Sequence, residues 1–307
     1  MLGVWRLQLL REVGRRGTIR AAAAALSISP SAVSQQLKIL EAEAGVVLLE
    51  PHGRLVRLTE AGEMLVRHAD TITAAITAAE SELAATRDEI SGTLRIAAFP
   101  TAARAILPGV IAELGRAHPQ LRLMLRDLEA QESLAALRLD EVDLAVVDEY
   151  DEVTRVREPG IELLDLLEDP LYVALPPGLP VDAGGLSVRL AALAAAPWIM
   201  DTEASNIFGA VRRHCQRAGF EPHVRSNCRD YSVIIALVEA GLGVAVLPGL
   251  ALLDRDIRAR VALLDPPLRR RVIVAVKPER RSHPAVAAML AALLAQAGLS
   301  GPSVQEN

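Results

Sequence analysis

Cysteine and lysine are almost missing from this sequence. Among 307 residues only Cys215 and Cys228 carry a thiol, too few and too oddly spaced for a disulfide framework or a zinc site, so a reducing cytosol is the expected compartment. Lys38 and Lys277 are the only lysines among 33 basic residues. With the recurrent alanine runs, this points to composition bias rather than to a basic coat. No apolar run is long enough for a bilayer: VIIALVEAGLGVAVL is cut by Glu239, Gly241 and Gly243, and the N-terminus carries Arg6 and Arg11 without the apolar core of an export signal. No Gly-rich phosphate loop, HExxH or GxSxG element occurs and the histidines are scattered, so the common hydrolase and nucleotide chemistries lack their residues. No metal or cofactor is expected.

What is present is a folded chain of two or three domains, 51% hydrophobic and 23% charged. Its net charge of −5 excludes binding to nucleic acid by bulk charge. The charge is uneven, however. Residues 1–66 hold eight Lys/Arg against six Asp/Glu, which leaves −7 for the remainder. Only the beginning is fit to approach DNA.

That beginning reads as three short helices. Trp5, Leu9 and Val13 keep helical spacing up to Gly14. Thr18 caps a second helix through the alanines at 21–25. After a turn at Ser27 and Ile28, Ser29 is the N-cap and Pro30 the first residue of a third helix that ends at Gly45. In the third helix Val33, Leu37 and Leu40 form an apolar seam, while Ser31, Ser34, Gln35 and Lys38 fall at i, i+3, i+4 and i+7 on another side. A solvated face would suffice there. A stripe that is short, amide- and hydroxyl-rich and almost uncharged also has the chemistry that reads base edges. Leu49, Leu55 and Val56 flank a Pro-His-Gly turn, a two-stranded wing bearing Arg54 and Arg57. Thr59 then caps a helix from 60 to about 88, with Leu65, Ala69, Ile72, Ile76, Ala79 and Leu83 spaced 4, 3, 4, 3, 4. Such a heptad seam pairs with a copy of itself or packs within the chain.

Beyond Gly92 the pattern alternates: strand TLRIAAF, helix 102–117, strand LRLMLRD, helix 132–139, strand DLAVV, then a second series with LYVAL, PWIM, GVAVLP and RRVIVAV as strands. This predicts parallel sheets covered on both faces, an α/β region.

With these residues placed, the chain resembles the LysR-type transcriptional regulators over its whole length. Gly17, Thr18, Ile19, Ala22 and Ala23 match the family's Gly-Ser-Phe-x-x-Ala-Ala element. Ser29, Val33, Ser34, Gln36, Leu37, Leu40 and Glu41 match its recognition helix. Gly45, Val46, Leu48 and Leu49 match the Gly-Val-x-Leu-Phe lead into the wing, and Leu58, Thr59 and Gly62 its Leu-Thr-x-x-Gly. The usual Phe-Glu-Arg of the wing is here Leu49, Glu50, Pro51, so one phosphate-binding arginine is missing.

The resemblance implies an N-terminal all-α winged helix-turn-helix (1–58), a linker and dimerisation helix (59–91), and a periplasmic-binding-protein-like effector domain (92–298). The last consists of subdomain I (92–165 and 266–298) and subdomain II (166–265), with a tail at 299–307. It implies double-stranded DNA as partner, read as an interrupted palindrome by a homodimer, with pairing of dimers into tetramers and contact with RNA polymerase left open, and a small-molecule effector. The DNA-facing set is Ser29, Ser31, Ser34, Gln35, Lys38, Arg54 and Arg57. The effector set is Thr101, Ala102, Asp148, Thr202, Ser205, Asn206 and Val246, of which Thr101 and Ser205 are equally ordinary helix caps. The run DEYDE reads as a solvated loop, whereas an Asp148 turned into the cleft would call for a cationic effector such as an amino acid or amine. The family also has a peroxide-sensing branch with a cysteine pair. Cys215, on the Phe208–Val211–Cys215 seam, reads as a small buried hydrophobe, with a Cys215/Cys228 switch as the alternative. The competing class is a two-lobed solute-binding protein or enzyme whose N-terminal unit serves assembly.

Overall fold

The computed structural model of the chain describes residues 2–26, 28–52, 55–85, 89–150, 160–179, 187–203, 205–253 and 255–299. Two compact units emerge, 1–88 with 279–284, and the rest.

The first unit opens with α1 (Val4–Arg16), α2 (Ile19–Ala25) and α3 (Pro30–Ala44). α1 does not stop at Gly14, as the spacing suggested. It runs on to a left-handed Gly17, and Gly14 is instead the place where Leu58 presses in, its Cδ1 within 2.6 Å of where a Cβ would stand. The caps fall where the residue types place them. Thr18 Oγ1 accepts from the Ala21 amide at 3.0 Å, Ser29 Oγ from the Ala32 amide at 3.2 Å, and Gly45 closes α3 in the left-handed region. Val33, Leu37 and Leu40 are buried with Leu9, Leu10, Val13, Ala22 and Ala23. Strands β1 (Leu49–His52) and β2 (Leu55–Leu58) form a hairpin in the register Leu49↔Leu58 and His52↔Leu55. Thr59 caps α4 (Glu60–Ala85), its hydroxyl accepting from the Gly62 amide at 3.1 Å.

In the second unit the order is β3 (Gly92–Ala98), α5 (Pro100–Ala105), α6 (Leu107–Ala117), β4 (Leu121–Asp127), α7 (Ala130–Arg138) and β5 (Leu144–Tyr150). The helix expected over 102–117 is thus two helices, broken at Ile106, because Pro108 has no N–H to give and disfavours helical backbone before it. Strand β5 runs three residues past the end of DLAVV, so Asp148, Glu149 and Tyr150 are strand residues, not a solvated loop. Asp151 and Glu152 lie outside the described residues.

Next come β6 (Glu162–Leu175), β7 (Ser187–Arg189), β8 (Pro197–Met200), α8 (Asn206–Arg217), β9 (His223–Asn227), α9 (Tyr231–Glu239), β10 (Ala245–Pro248), α10 (Gly249–Leu252), β11 (Arg260–Asp265), β12 (Arg269–Val276) and α11 (Pro284–Leu299). The main sheet runs β4-β3-β5-β12-β6-β11-β7, with β10 also on β6. Strand β6 is shared by two lobes. Its first half pairs with β12 and its second half with β10 and β11. The core repeats this division: Leu94, Ile96, Val146, Val272 and Val274 pack beneath α6 and α11, while Trp198, Val173, Val211 and Leu264 fill the other lobe. β11 and α10 had no counterpart in the sequence pattern. No described helix is long and apolar enough to cross a membrane.

Candidate functional site

On the first unit, Ser31, Gln35 and Lys38 are exposed on α3. Ser29 Oγ lies 3.0 Å from Ser31 Oγ besides its capping bond, and Ser34 Oγ donates back to the Pro30 carbonyl at 3.0 Å, so all three hydroxyls are already engaged within their own helix. The side chains of Gln35 and Lys38 have no such engagement in the structure. The Gln35 amide, acceptor and donor together, and the Lys38 ammonium are the free hydrogen-bonding groups of the stripe. Arg57 is exposed on β2, whereas Arg54 lies outside the described residues.

Helix and wing are held together by three devices. Glu41 Oε1 accepts from the amides of Leu48 and Leu49 at 2.9 and 3.2 Å. The Thr59 hydroxyl donates to the Val47 carbonyl at 2.8 Å. Gly62 lies against Leu48, whose carbonyl oxygen would stand 2.2 Å from an added Cβ, which is the physical reason for glycine at the end of Leu-Thr-x-x-Gly. On α4 the heptad seam divides. Leu65 and Ala69 belong to this unit's own core, whereas Ile72, Ile76 and Leu83 are 38%, 36% and 67% exposed. About three turns of helix therefore show an apolar stripe that the described residues leave exposed.

On the second unit, Thr101 of α5, Asp148 of β5, and Ser205 and Asn206 at the start of α8 meet around one polar cavity of about 20 Å³, room for a single water-sized group. The other three expected residues are not on its wall. Ala102, on the inner side of α5, and Val246, paired with Val173 across β10 and β6 and turned inward by strand alternation, are core residues. Thr202 spends its amide and hydroxyl on Asp201 Oδ1, at 2.6 and 3.3 Å.

The centre of this cavity was not visible beforehand. Arg270 of β12, 2% exposed, donates through Nε to Asp169 Oδ2 at 2.9 Å, through Nη1 to Asp148 Oδ2 at 3.1 Å and through Nη2 to Thr101 Oγ1 at 2.7 Å, over the Phe99 ring at 4.8 Å. Asp169 is wholly buried and also accepts from the Leu250 amide at 3.1 Å. The close approach is possible because residue 249 is glycine, since a Cβ there would sit 2.7 Å from Asp169 Oδ1. Burial works against the Arg270 charge, but Asp169, Tyr150 and Asp148 outweigh it and hold its pKa above the ordinary value. Burial likewise raises Asp169, more than Arg270 lowers it. The Asn206 amide donates to Asp148 Oδ1 at 3.3 Å. Strand alternation carried a usable signal here: Arg270 shares a face with Val272, Val274 and Val276, all core, so its charge had to be buried and paired.

Burial, with Asp148 and Asp201 facing it, raises the Glu129 carboxyl to about 7, against the opposing pull of Arg229. A folded-state pKa above the unfolded value means that the ionised group costs stability, and stability falls as pH rises from about 4.5 through 7. Glu129 also caps α7, and glutamine can keep that role through its carbonyl oxygen. Glu129→Gln is therefore expected to melt about 2–4 °C higher than wild type at pH 8, and no higher at pH 4, in a fluorimetric melt.

Cys215 is fully buried, and burial with Glu221 nearby pushes its thiol up to about 12, while Cys228 is half-buried in a different cluster. Neither lines the cavity. Among the described residues no group of His, Cys, Asp and Glu could hold a metal ion.

Comparison with known proteins places these features. Residues 87–298 match the LysR substrate binding domain and residues 5–63 the bacterial regulatory helix-turn-helix of the lysR family. A "Probable hydrogen peroxide-inducible genes activator" of Mycobacterium avium is 30% identical over 257 residues, 83% of this chain and 80% of that one. Full-length OxyR of Pseudomonas aeruginosa, as a cysteine-to-aspartate variant, superposes with a TM-score of 0.73 at 21% identity over 100% and 99% of the two chains. CbnR complexed with its target DNA gives 0.53 at 24% identity over 96% and 99%.

Proposed function

The chain belongs to the LysR family of bacterial transcriptional regulators, and on that premise we propose that it works in the cytoplasm as a homodimer, reading an interrupted palindrome and answering to a small molecule held in the Arg270 cavity. The observation that carries the DNA half is the pair Gln35 and Lys38, exposed and unengaged on a helix whose caps and wing clamp are fixed. Gln35 suits a bidentate contact to adenine, worth roughly 1–3 kcal/mol of discrimination, and Lys38 a phosphate or guanine. Arg57 would reach the minor groove or the backbone beside it, a role the sequence also offers to Arg54.

The effector half rests on Thr101, Asp148, Ser205 and Asn206 meeting around one cavity. Coupling between effector and DNA is expected at about 1–3 kcal/mol, and no catalytic step is needed. The relative from Mycobacterium avium is named for peroxide. In this chain no described residue of the cavity wall is a thiol, and burial pushes the Cys215 thiol up to about 12, which favours an effector that binds over an oxidant that reacts.

The test is fluorescence anisotropy on the DNA upstream of the protein's own gene, across a salt series. Gln35→Ala is expected to weaken this site about 10- to 100-fold and random DNA hardly at all, while Lys38→Ala weakens both and lowers the salt slope by about one. Peroxide treatment should leave wild-type affinity unchanged. Equal loss on both DNAs for Gln35→Ala would remove the base-reading role, and a peroxide-dependent change would restore the thiol switch.

A further inference from the structure

A second cavity, of about 310 Å³, adjoins the polar one. Its walls are largely apolar: Ala130 and Leu134 of α7, Val147 of β5, Leu163 of β6 and Ile273 of β12. This volume lies in the range of small-molecule pockets. Asp148, Tyr150 and Asn206 face both cavities. The two cavities therefore share that part of their walls, and the Asn206–Asp148 contact in the partition is long, at 3.3 Å.

The polar side of the partition is rich in acceptors. Glu129, Asp148 and Asp201 face it, with Asp169 behind, against Arg270 and Arg229. Each of the three Arg270 nitrogens already donates, to Asp169, Asp148 and Thr101, so no unengaged pair of nitrogens is presented to an incoming carboxylate. A charged group entering here meets two more negative than positive side chains.

Taking the Arg270 cavity to be the effector site, we infer that its ligand is a primary amine with an apolar body, the ammonium replacing the Asn206 amide on Asp148 and the body lying in the cavity beneath α7. An ammonium head is about the size of a water, which is what the polar cavity admits, and its three donors match the three carboxylates. The apolar walls supply the rest by burial. Arg138, exposed at the far mouth, is too distant from the partition in sequence and on its helix to share the head's position, since Ala130 and Gln131 occupy that end of α7.

The raised Glu129 carboxyl adds a pH signature. It is faced by Asp127 of β4, Asp148 of β5, Asp201 after β8 and Arg229 before α9. An ammonium favours its ionised form, so binding expels a proton and tightens about tenfold from pH 6 to pH 8, below the amine's own pKa near 10.

The experiment uses the full chain with n-hexylamine, methylamine and hexanoate, read by calorimetry, by thermal shift and by anisotropy on the operator. Hexylamine is expected to bind and raise the melting temperature by several degrees, with methylamine and hexanoate at least tenfold weaker. Leu134→Trp, which fills the apolar cavity, and Asp148→Asn should each weaken hexylamine at least tenfold. The first variant leaves the Arg270 network untouched, so it decides the matter even if the second folds poorly. Hexanoate binding as tightly as hexylamine, or hexylamine unaffected by Leu134→Trp, overturns the inference. If hexanoate alone alters operator affinity, the cavity remains an effector site and the amine is wrong. If hexylamine binds as expected without altering operator affinity, the ligand class stands and the effector role falls.

Discussion

Arg270→Met is expected to destabilise the effector domain by about 3–5 kcal/mol, the loss that follows when one partner of a buried ion pair is removed and the other stays behind. What stays behind is Asp169, with no exposure, and Asp148, with little. The methionine fills much of the volume, so the loss is electrostatic rather than a cavity effect. It therefore has a pH dependence. Without the guanidinium, the buried Asp169 carboxyl is driven further above its unfolded value. The folded variant then binds more protons than the unfolded one, and its stability falls as pH rises. Urea unfolding of wild type and variant should show a deficit at pH 5 that is clearly smaller than at pH 8. A deficit under about 1 kcal/mol at both would mean that the network is a passenger on strands held by their ladders alone. Because Arg270 sits on β12 and Asp169 on β6, the strand that both lobes share, the same variant should also lose its ligand response.

The second large effect is expected on the linker helix. Ile72→Asp with Ile76→Asp should yield a folded monomer, because both side chains are over one-third exposed in the single chain, while each added charge faces its symmetry mate in a paired seam. Affinity for a two-site operator should then fall on the order of 10²- to 10⁴-fold, the contribution of tethering two reading units, with binding to an isolated half-site unchanged. Sedimentation and anisotropy on the two DNAs check this. A variant that stays dimeric would place the dimer contact elsewhere, and equal losses on both DNAs would indicate a folding defect.

How much of this was legible depended on how local the cause was. The caps at Thr18, Ser29 and Thr59 are satisfied within three residues, so residue type at a position sufficed. The heptad seam was half legible: spacing marked all six positions, but it could not tell that Leu65 and Ala69 are consumed by the unit's own core and only the later ones left uncovered. The cavity was least legible. Its central contacts join residues 101, 122 and 169 apart in sequence, and no local pattern distinguishes the middle arginine of Arg269-Arg270-Arg271 from its less buried neighbours except the face that strand alternation assigns it. Thr101, Asp148, Ser205 and Asn206 are legible because each follows a strand or opens a helix of the sequence pattern. Glu129, Tyr150 and Tyr231 share that wall and Asp169 stands behind it on Arg270, but only the tertiary fold brings these four there.

The clamp from Glu41 to the amides of Leu48 and Leu49 bears on how target sites can drift. A recognition helix and a wing that move as one body sample the two grooves of a half-site at a single helical phase. Base changes within a half-site alter affinity one position at a time. Inserting or deleting a base pair there throws one of the two contacts out of phase at once. On the two-site target proposed above, promoters under this regulator would be free to diverge in letters, but each half-site would have to keep its length.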